Sequence, residues 1–420
     1  MKLLSNEKVI NIMSNTLNHV DGRLVDHGER VAYLLYKVLK QPKSMFNNRQ
    51  LRDICILAML HDVGAYKTEE IDKMVIFETR DVWEHSIYGS LFLKHFSPLK
   101  ELSPVVLFHH ASCKELPYLE YEDLQVLANL ISLCDRADVF AVHNGKNEKF
   151  LKHINKYRNI KYRSDLVDMY LAADINIEST FDEMMSDDEF NDIFHKTPLT
   201  EKEATEYIDM IVYSIDFRSS QTVIHTISTV SIAEYLAKKM GLNEEDVNKV
   251  KTGATLHDIG KIGVPLHILE STEKLSDREM SIMRTHINFT DDILDGNVDE
   301  DIKRIAVNHH EKLNGEGYPN QINGQMIANT DRIVAIADIF SALCRARTYK
   351  SEFPKEKVIG ILSDMAEQNL IDPEIVSIAV DNFDEIAAII KKDAEPIIKA
   401  YEEMNEEYTY IRDELLVKFK

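Results

Sequence analysis

The sequence predicts an almost entirely α-helical protein, and three observations carry that reading. Glycine and proline are scarce, 14 and 10 in 420 residues, so little of the chain is marked as turn or breaker. Apolar residues recur at helical spacing, and no long run alternates apolar with polar residues as a half-buried strand would.

Taken in order, residues 1–150 form one predicted domain, built around "AMLHDVGAYKTE". Residues 151–204 are polar and acidic ("FDEMMSDDEFNDIF") and read as a connector with some helix. Residues 205–420 form the second domain. In it, "VIHTISTVSIAEYLAKKMGL" places Val223, Ile227, Val230 and Leu236 about one face apart, with Lys238, Lys239 and Gly241 as a helix stop. "LSDREMSIMRTHINF" opens with Ser276 and Glu279 at capping-box spacing. The tail beyond about 375, "FDEIAAIIKKDAEPIIKAYEEMNEEYTY", reads as a charged amphipathic helix pair and a candidate packing or homodimer surface.

Composition narrows the function classes. The formal net charge of −22 argues against a sequence-independent grip on DNA or RNA, which needs a basic surface. No apolar run approaches the roughly 18–20 residues of a membrane span, and "MKLLSNEKVI" lacks the apolar core of a signal peptide. The four cysteines, Cys55, Cys113, Cys134 and Cys344, form no CxxC pair, so buried thiols in a reducing cytoplasm are expected.

The chemistry lies in a repeat. His27, His61, Asp62, His85, His109, His110 and Asp135 recur in the same order as His225, His257, Asp258, His286, His309, His310 and Asp338, shifted by roughly 200 residues. A lone His-Asp or His-His pair says little, whereas seven such residues in one order, twice, read as a duplicated metal-binding domain. For the first copy, a packing domain that merely keeps inherited ligands is the competing reading. His and Asp together suit borderline first-row ions such as Fe, Mn, Zn or Ni, and the lack of thiolates argues against a structural zinc. One aspartate, Asp258, has two oxygens and is able to bridge two ions. Paired ions share a water, acidify it and hold the resulting hydroxide for attack on phosphorus. His309 and His310, if helical, would splay by about 100°.

Residues from about 205 to 375 resemble an HD-GYP domain, a subgroup of the HD metal-dependent phosphohydrolases. The resemblance rests on His225, "LHDIGKIGVP", His286, "NHHEKLNGEGYP", "IVAIADIFSAL", "RTYK" and "IDPEIV". It implies an all-helical fold and metal-dependent hydrolysis of a cyclic dinucleotide, cyclic di-GMP or 3′,3′-cyclic GMP-AMP, to a linear dinucleotide by a metal-bridging hydroxide. The resemblance also implies two divalent ions, Fe or Mn before Zn or Ni. His225, His257, Asp258 and Asp338 would hold one; Asp258, His286, His309 and His310 would hold the other. Lys261 would neutralise a phosphate oxygen or aid protonation of the leaving group. Arg347 and Lys350 would contact substrate phosphate, and Tyr318 in the "GEGYP" loop would shape the pocket rim or pack against a base.

Two departures stand out. Where three-metal members have a glutamate, this chain has Gln221, which favours two ions. Where the family has an aspartate three residues past the last ligand, it has Ser341, which puts base recognition in doubt. Residues 15–145 resemble a plain HD domain. That copy keeps the seven positions but carries Ala65 in place of Lys261, with Lys67 nearby, and reproduces neither the GYP loop nor "RTYK". It is expected to be regulatory or structural. For the protein as a whole, the alternatives to cyclic dinucleotide hydrolysis are a non-catalytic cyclic dinucleotide sensor and an HD nucleotide phosphohydrolase of other specificity.

Overall fold

The computed structural model describes residues 6–20, 25–40, 46–67, 83–144, 146–218, 223–271, 273–345 and 355–418. Among these there is no strand, only an isolated bridge between Arg158 and Tyr162. No described helix is long and apolar enough to cross a membrane. All four cysteines are free thiols.

The chain divides into two units, Val20–Met210 with Met404–Lys420, and Met1–His19 with Ile211–Glu403. In the first, helices His27–Leu39, Asn48–Met59, Trp83–Phe96 and Glu122–Asn144 carry the apolar residues Leu34, Leu35, Ile56, Leu57, Leu91, Phe92, Leu130 and Ile131 into the core. Asn47 starts one of them with a capping box to Gln50, a device worth about 1 kcal/mol. The stretch 151–204, read from the sequence as a connector, packs into this unit. Buried Arg52 donates to the carbonyls of Thr197 and Pro198 at 2.9 and 3.0 Å, and Tyr33 meets Phe190 edge-on.

In the second unit, helices His225–Lys239, Glu244–Leu256, Asp277–Leu294, Glu300–Val307 and Asn329–Arg345 surround the site, and Pro373–Asp381 closes the core. Ser276 and Glu279 form the predicted capping box. The helix after Val223 ends at Lys239, and Gly241 follows at φ 74°, the left-handed turn that glycine tolerates best. Its buried face is wider than the apolar pattern suggests, because Ser228, Thr229 and Ser231 are also buried. The N-terminal helix Asn6–Asn18 belongs to this unit, with His19 edge-on to Phe289.

The tail is one helix, Phe383–Lys418, and not a pair. Pro396 lies inside it, which removes a backbone hydrogen bond at a cost of about 3 kcal/mol. Packing on both sides of the proline offsets that cost: Phe383, Ile386 and Ile390 are buried before it, Met404 and Leu415 after it.

Candidate metal centres

In the second unit helix ends and 3-10 turns deliver His225, His257, Asp258, His309 and His310, and the middles of two helices, Asp277–Leu294 and Asn329–Arg345, deliver His286 and Asp338. His225 is the first residue of its helix, whose Thr226 N–H is capped by buried Asp216 at 3.2 Å. His257 and Asp258 follow the end of Glu244–Leu256 and lead into the 3-10 turn Ile259–Gly263. That turn lies flat on helix Asp277–Leu294, since a Cβ on Gly260 would collide with the carbonyl of His286. His309 and His310 lie on a 3-10 turn, Asn308–His310, and not on the α-helix considered from the sequence. Their rings are 4.0 Å apart at 45°.

His225 Nε2 stands 3.1 Å from Asp258 Oδ2 and 3.2 Å from Asp338 Oδ1. His257 Nε2 is 3.2 Å from Asp258 Oδ2. On the other side, Asp258 Oδ1 is 3.6 Å from His286 Nε2 and 3.9 Å from His309 Nε2, and His310 Nδ1 is 3.9 Å from Asp338 Oδ2. Asp258 therefore stands between two groups of imidazoles. Lys261 makes an ion pair with Asp258, and the Tyr318 ring lies 4.6 Å from that of His310, with the Arg284 guanidinium 4.8 Å from the centroid of the Tyr318 ring.

The protonation pattern fits a metal. His257, His286 and His309 each place Nδ1 within 2.7 Å of a backbone carbonyl, those of Ala254, Met283 and Ala306. A carbonyl only accepts, so Nδ1 carries the proton; burial disfavours a charged ring at His286 and His309 and leaves each Nε2 lone pair inward, whereas at His257 the neighbouring Asp258 overcomes burial and raises the pKa. The inward atoms Asp258 Oδ1, His286 Nε2 and His309 Nε2 are buried with no hydrogen-bond partner. Buried polar atoms are rarely left so, and three around one point suit a cation. Burial holds His286 down to about 4 and His310 down to about 3, so both are unprotonated at neutral pH. Burial opposes charge on Asp258 too, but His257 and Lys261 keep its carboxyl well below the usual range.

The first unit repeats the arrangement. His61 and His109 place Nδ1 against the carbonyls of Ala58 and Val106 at 2.7 and 2.6 Å. His61 Nε2, His109 Nε2 and Asp62 Oδ1 are buried without partners. His27, His61 and Asp62 form one candidate ligand group; Asp62, His85, His109 and His110 form the other. Asp135 Oδ1 is 3.6 Å from His27 Nε2. A Cβ on Gly64 would collide with the carbonyl of His85, as Gly260 does with His286. Both units thus hold His/Asp clusters able to bind divalent metal.

Arg347, Lys350 and Gln221 lie outside the described residues, as does the side chain of Lys67. Ser341 is buried, its Oγ 3.0 Å from His225 Nδ1, so it contacts the outward nitrogen of a ligand-type side chain. Three supporting residues were missed from the sequence. Arg218 donates to the carbonyls of Lys261 and Ile262 at 3.0 and 2.8 Å, fixing the turn that carries Lys261. Asp331 accepts from Asn308 Nδ2 at 2.9 Å and anchors the His-His turn. Glu311 accepts backbone N–H bonds from Asn320, Gln321 and Ile322 and so closes the GYP loop. The quoted motif "HHEKLNGEGYP" contains Glu311, and an acid entering a loop rich in unpaired amides was the available signal.

HD-domain models match residues 24–139 and 197–375. The 3′3′-cGAMP-specific phosphodiesterase 1 of Vibrio cholerae is 25% identical over 392 residues, covering 88% of this chain and 90% of that protein. The cyclic di-GMP phosphodiesterase response regulator RpfG of Xanthomonas campestris is 33% identical over 179 residues, 42% of this chain and 47% of that one. A crystal structure of a cyclic GMP-AMP-specific phosphodiesterase of V. cholerae, V-cGAP3, matches with a TM-score of 0.57 at 18% identity, over 93% of this chain and 98% of that one. With one HD match in each unit and a shared helical fold, the chain belongs to the HD-domain family and carries the domain twice in tandem.

Proposed function

We propose that the second HD domain hydrolyses a phosphodiester bond of a cyclic dinucleotide, cyclic di-GMP or 3′,3′-cyclic GMP-AMP, to give a linear dinucleotide. The observation that carries this reading is the ring of inward, unpartnered atoms around Asp258 with a lysine at its edge. The similarity to phosphodiesterases of cyclic GMP-AMP and cyclic di-GMP supports the substrate class.

In this reading His225, His257, Asp258 and Asp338 would hold one divalent ion, and Asp258, His286, His309 and His310 the second; the donor set suits Fe, Mn, Zn or Ni, and the resemblance puts Fe or Mn first. When bound, the ions acidify water and neutralise phosphate charge. Water adds its oxygen to phosphorus, one ring P–O ester bond breaks, and a proton goes to the departing oxygen. Lys261, salt-bridged to the central carboxylate, is placed to neutralise a phosphate oxygen or to donate that proton. Tyr318, held against His310 by its own backbone N–H to the His310 carbonyl at 3.2 Å, forms the rim.

The test is turnover by protein purified without oxygen and loaded with Mn or Fe. Both cyclic dinucleotides are supplied and the linear products identified. Tight binding of both without cleavage would convert the enzyme into a sensor and defeat the proposal.

A further inference from the structure

The turn Ile259–Gly263, which carries Lys261, is held from three directions. Gly260 lies on helix Asp277–Leu294 and donates its N–H to Thr290 Oγ1 at 3.1 Å. Arg218 holds the carbonyls of Lys261 and Ile262. The third support is helix Asn6–Asn18, which precedes the first HD copy in sequence yet packs on this turn and on helix Asp277–Leu294.

That helix is well anchored, with Val9, Ile12, Met13 and Thr16 all buried. Just past its end, His19 donates from Nδ1 to the Asn15 carbonyl at 2.8 Å, sets its ring edge-on to Phe289 at 5.3 Å and turns Nε2 towards Asp292, 3.8 Å away. Gly263 fits between Phe289 and the backbone of His19. A Cβ there would come 2.7 Å from the Phe289 ring and 3.2 Å from the His19 carbonyl oxygen. Only a residue without a side chain lets the turn, the ring and the helix end approach so closely. In the first copy Lys67 stands at the position corresponding to Gly263, so this bare stretch of backbone is a feature of the second turn.

A lysine reaches its target through a flexible four-carbon stem, so its aim depends on how firmly its backbone is fixed. Gly263 lies two residues past Lys261, and the Val264 N–H returns to the Lys261 carbonyl at 3.1 Å, so the far end of the turn is tied to the lysine. We propose that the N-terminal helix is a positioning element of the second HD centre: His19 and Phe289 clamp Gly263, and the clamp fixes the turn that aims Lys261 at Asp258. Residues ahead of the first HD copy thereby serve the chemistry of the second. The inference rests on the role given to Lys261 in the proposed reaction, and its test keeps the two apart.

The test compares the full chain with its His19→Ala and Gly263→Ala variants by two readouts. Amide hydrogen exchange reads the turn without turnover: the Lys261 and Val264 N–H groups, both bonded within it, should exchange at least about tenfold faster in each variant. Kinetics of cyclic dinucleotide hydrolysis by Mn-loaded protein should show kcat lowered about tenfold with Mn content unchanged, since a misplacement of about 1 Å costs up to about 10²-fold. In a Lys261→Ala background neither variant should lower kcat further, because the clamp acts through the lysine. A further loss of the same size in that background, or unchanged exchange in both variants, overturns the positioning role. Faster exchange in a chain whose parent cleaves neither cyclic dinucleotide would support the clamp and sink the proposed reaction instead. His19→Ala removes only a partly exposed ring, so it decides the matter even if Gly263→Ala misfolds.

Discussion

Asp138 and Ser341 hold the same place in the two HD copies, three residues past the last carboxylate, and each sits behind the first histidine. In the first copy, Asp138 Oδ2 is 2.8 Å from His27 Nδ1, and the same carboxylate takes Arg30 Nε at 2.5 Å. In the second, the Ser341 hydroxyl stands 3.0 Å from His225 Nδ1 and donates to the His225 carbonyl at 3.2 Å. The inward faces barely differ: both copies orient their histidines with carbonyls three residues back and press a glycine onto the third histidine's backbone. The difference teaches that the ligand shell and its surroundings vary independently. The first copy invests its charge behind the ligands. The second puts its charge in front, with Lys261 at the central aspartate and an acid-closed loop at the rim.

The strongest way to break the comparison is to remove each central aspartate in turn. Asp258→Ala should empty the second centre and cut cyclic dinucleotide hydrolysis by roughly 10³-fold or more. Asp62→Ala should leave the rate within a few-fold of the parent. Steady-state kinetics with metal analysis on both variants checks this, and equal losses would end the division of labour between the copies. Next in size is Lys261→Ala, expected to keep its metal and lose about 10²-fold in kcat. An unchanged kcat would mean that the lysine serves only as a partner of Asp258.

A smaller effect separates the loops. After His310 comes Glu311, 4% exposed, which satisfies three backbone N–H groups; after His110 comes buried Ala111, which satisfies none with its side chain. Glu311→Ala should therefore lower the stability of the second unit by about 2–3 kcal/mol and raise KM more than it lowers kcat. Thermal melting and kinetics on the same sample test it. A kcat loss with KM unchanged would show that the loop acts on the chemistry and not on binding.

How much of this was legible in the sequence follows from what each residue does. The fourteen ligand-type positions were readable because a repeated order of His and Asp has no other common cause. The helices were readable from spacing, caps and the rarity of Gly and Pro. The residues that hold the ligands were not. Arg218 reaches the Lys261 turn across 43 positions, and Asp331 reaches Asn308 across 23, so no local pattern marks either. The tail reads as two helices from the sequence, whereas it is one: a proline inside a helix usually interrupts it, and packing on both sides of Pro396 overrides that rule.

The exchange at position 341 is the sharpest remaining probe, although its expected effect is the smallest. A carboxylate behind a metal-bound imidazole makes the ring a stronger donor than a hydroxyl does, and outer partners of this kind shift metal affinity by about 10–100-fold when removed. Ser341→Asp should therefore tighten the ion held by His225, His257 and Asp338 by up to about tenfold, while Asp138→Ser should loosen the corresponding ion in the first unit. The larger loss is expected at Asp138, because Arg30 would be left beside His27 without its carboxylate. Competitive metal titration of the two variants against the parent chain reads both numbers. If Ser341→Asp leaves metal affinity as it was and changes only which cyclic dinucleotide is cleaved, position 341 acts on the substrate base, and the carboxylate behind His27 is not its counterpart in function.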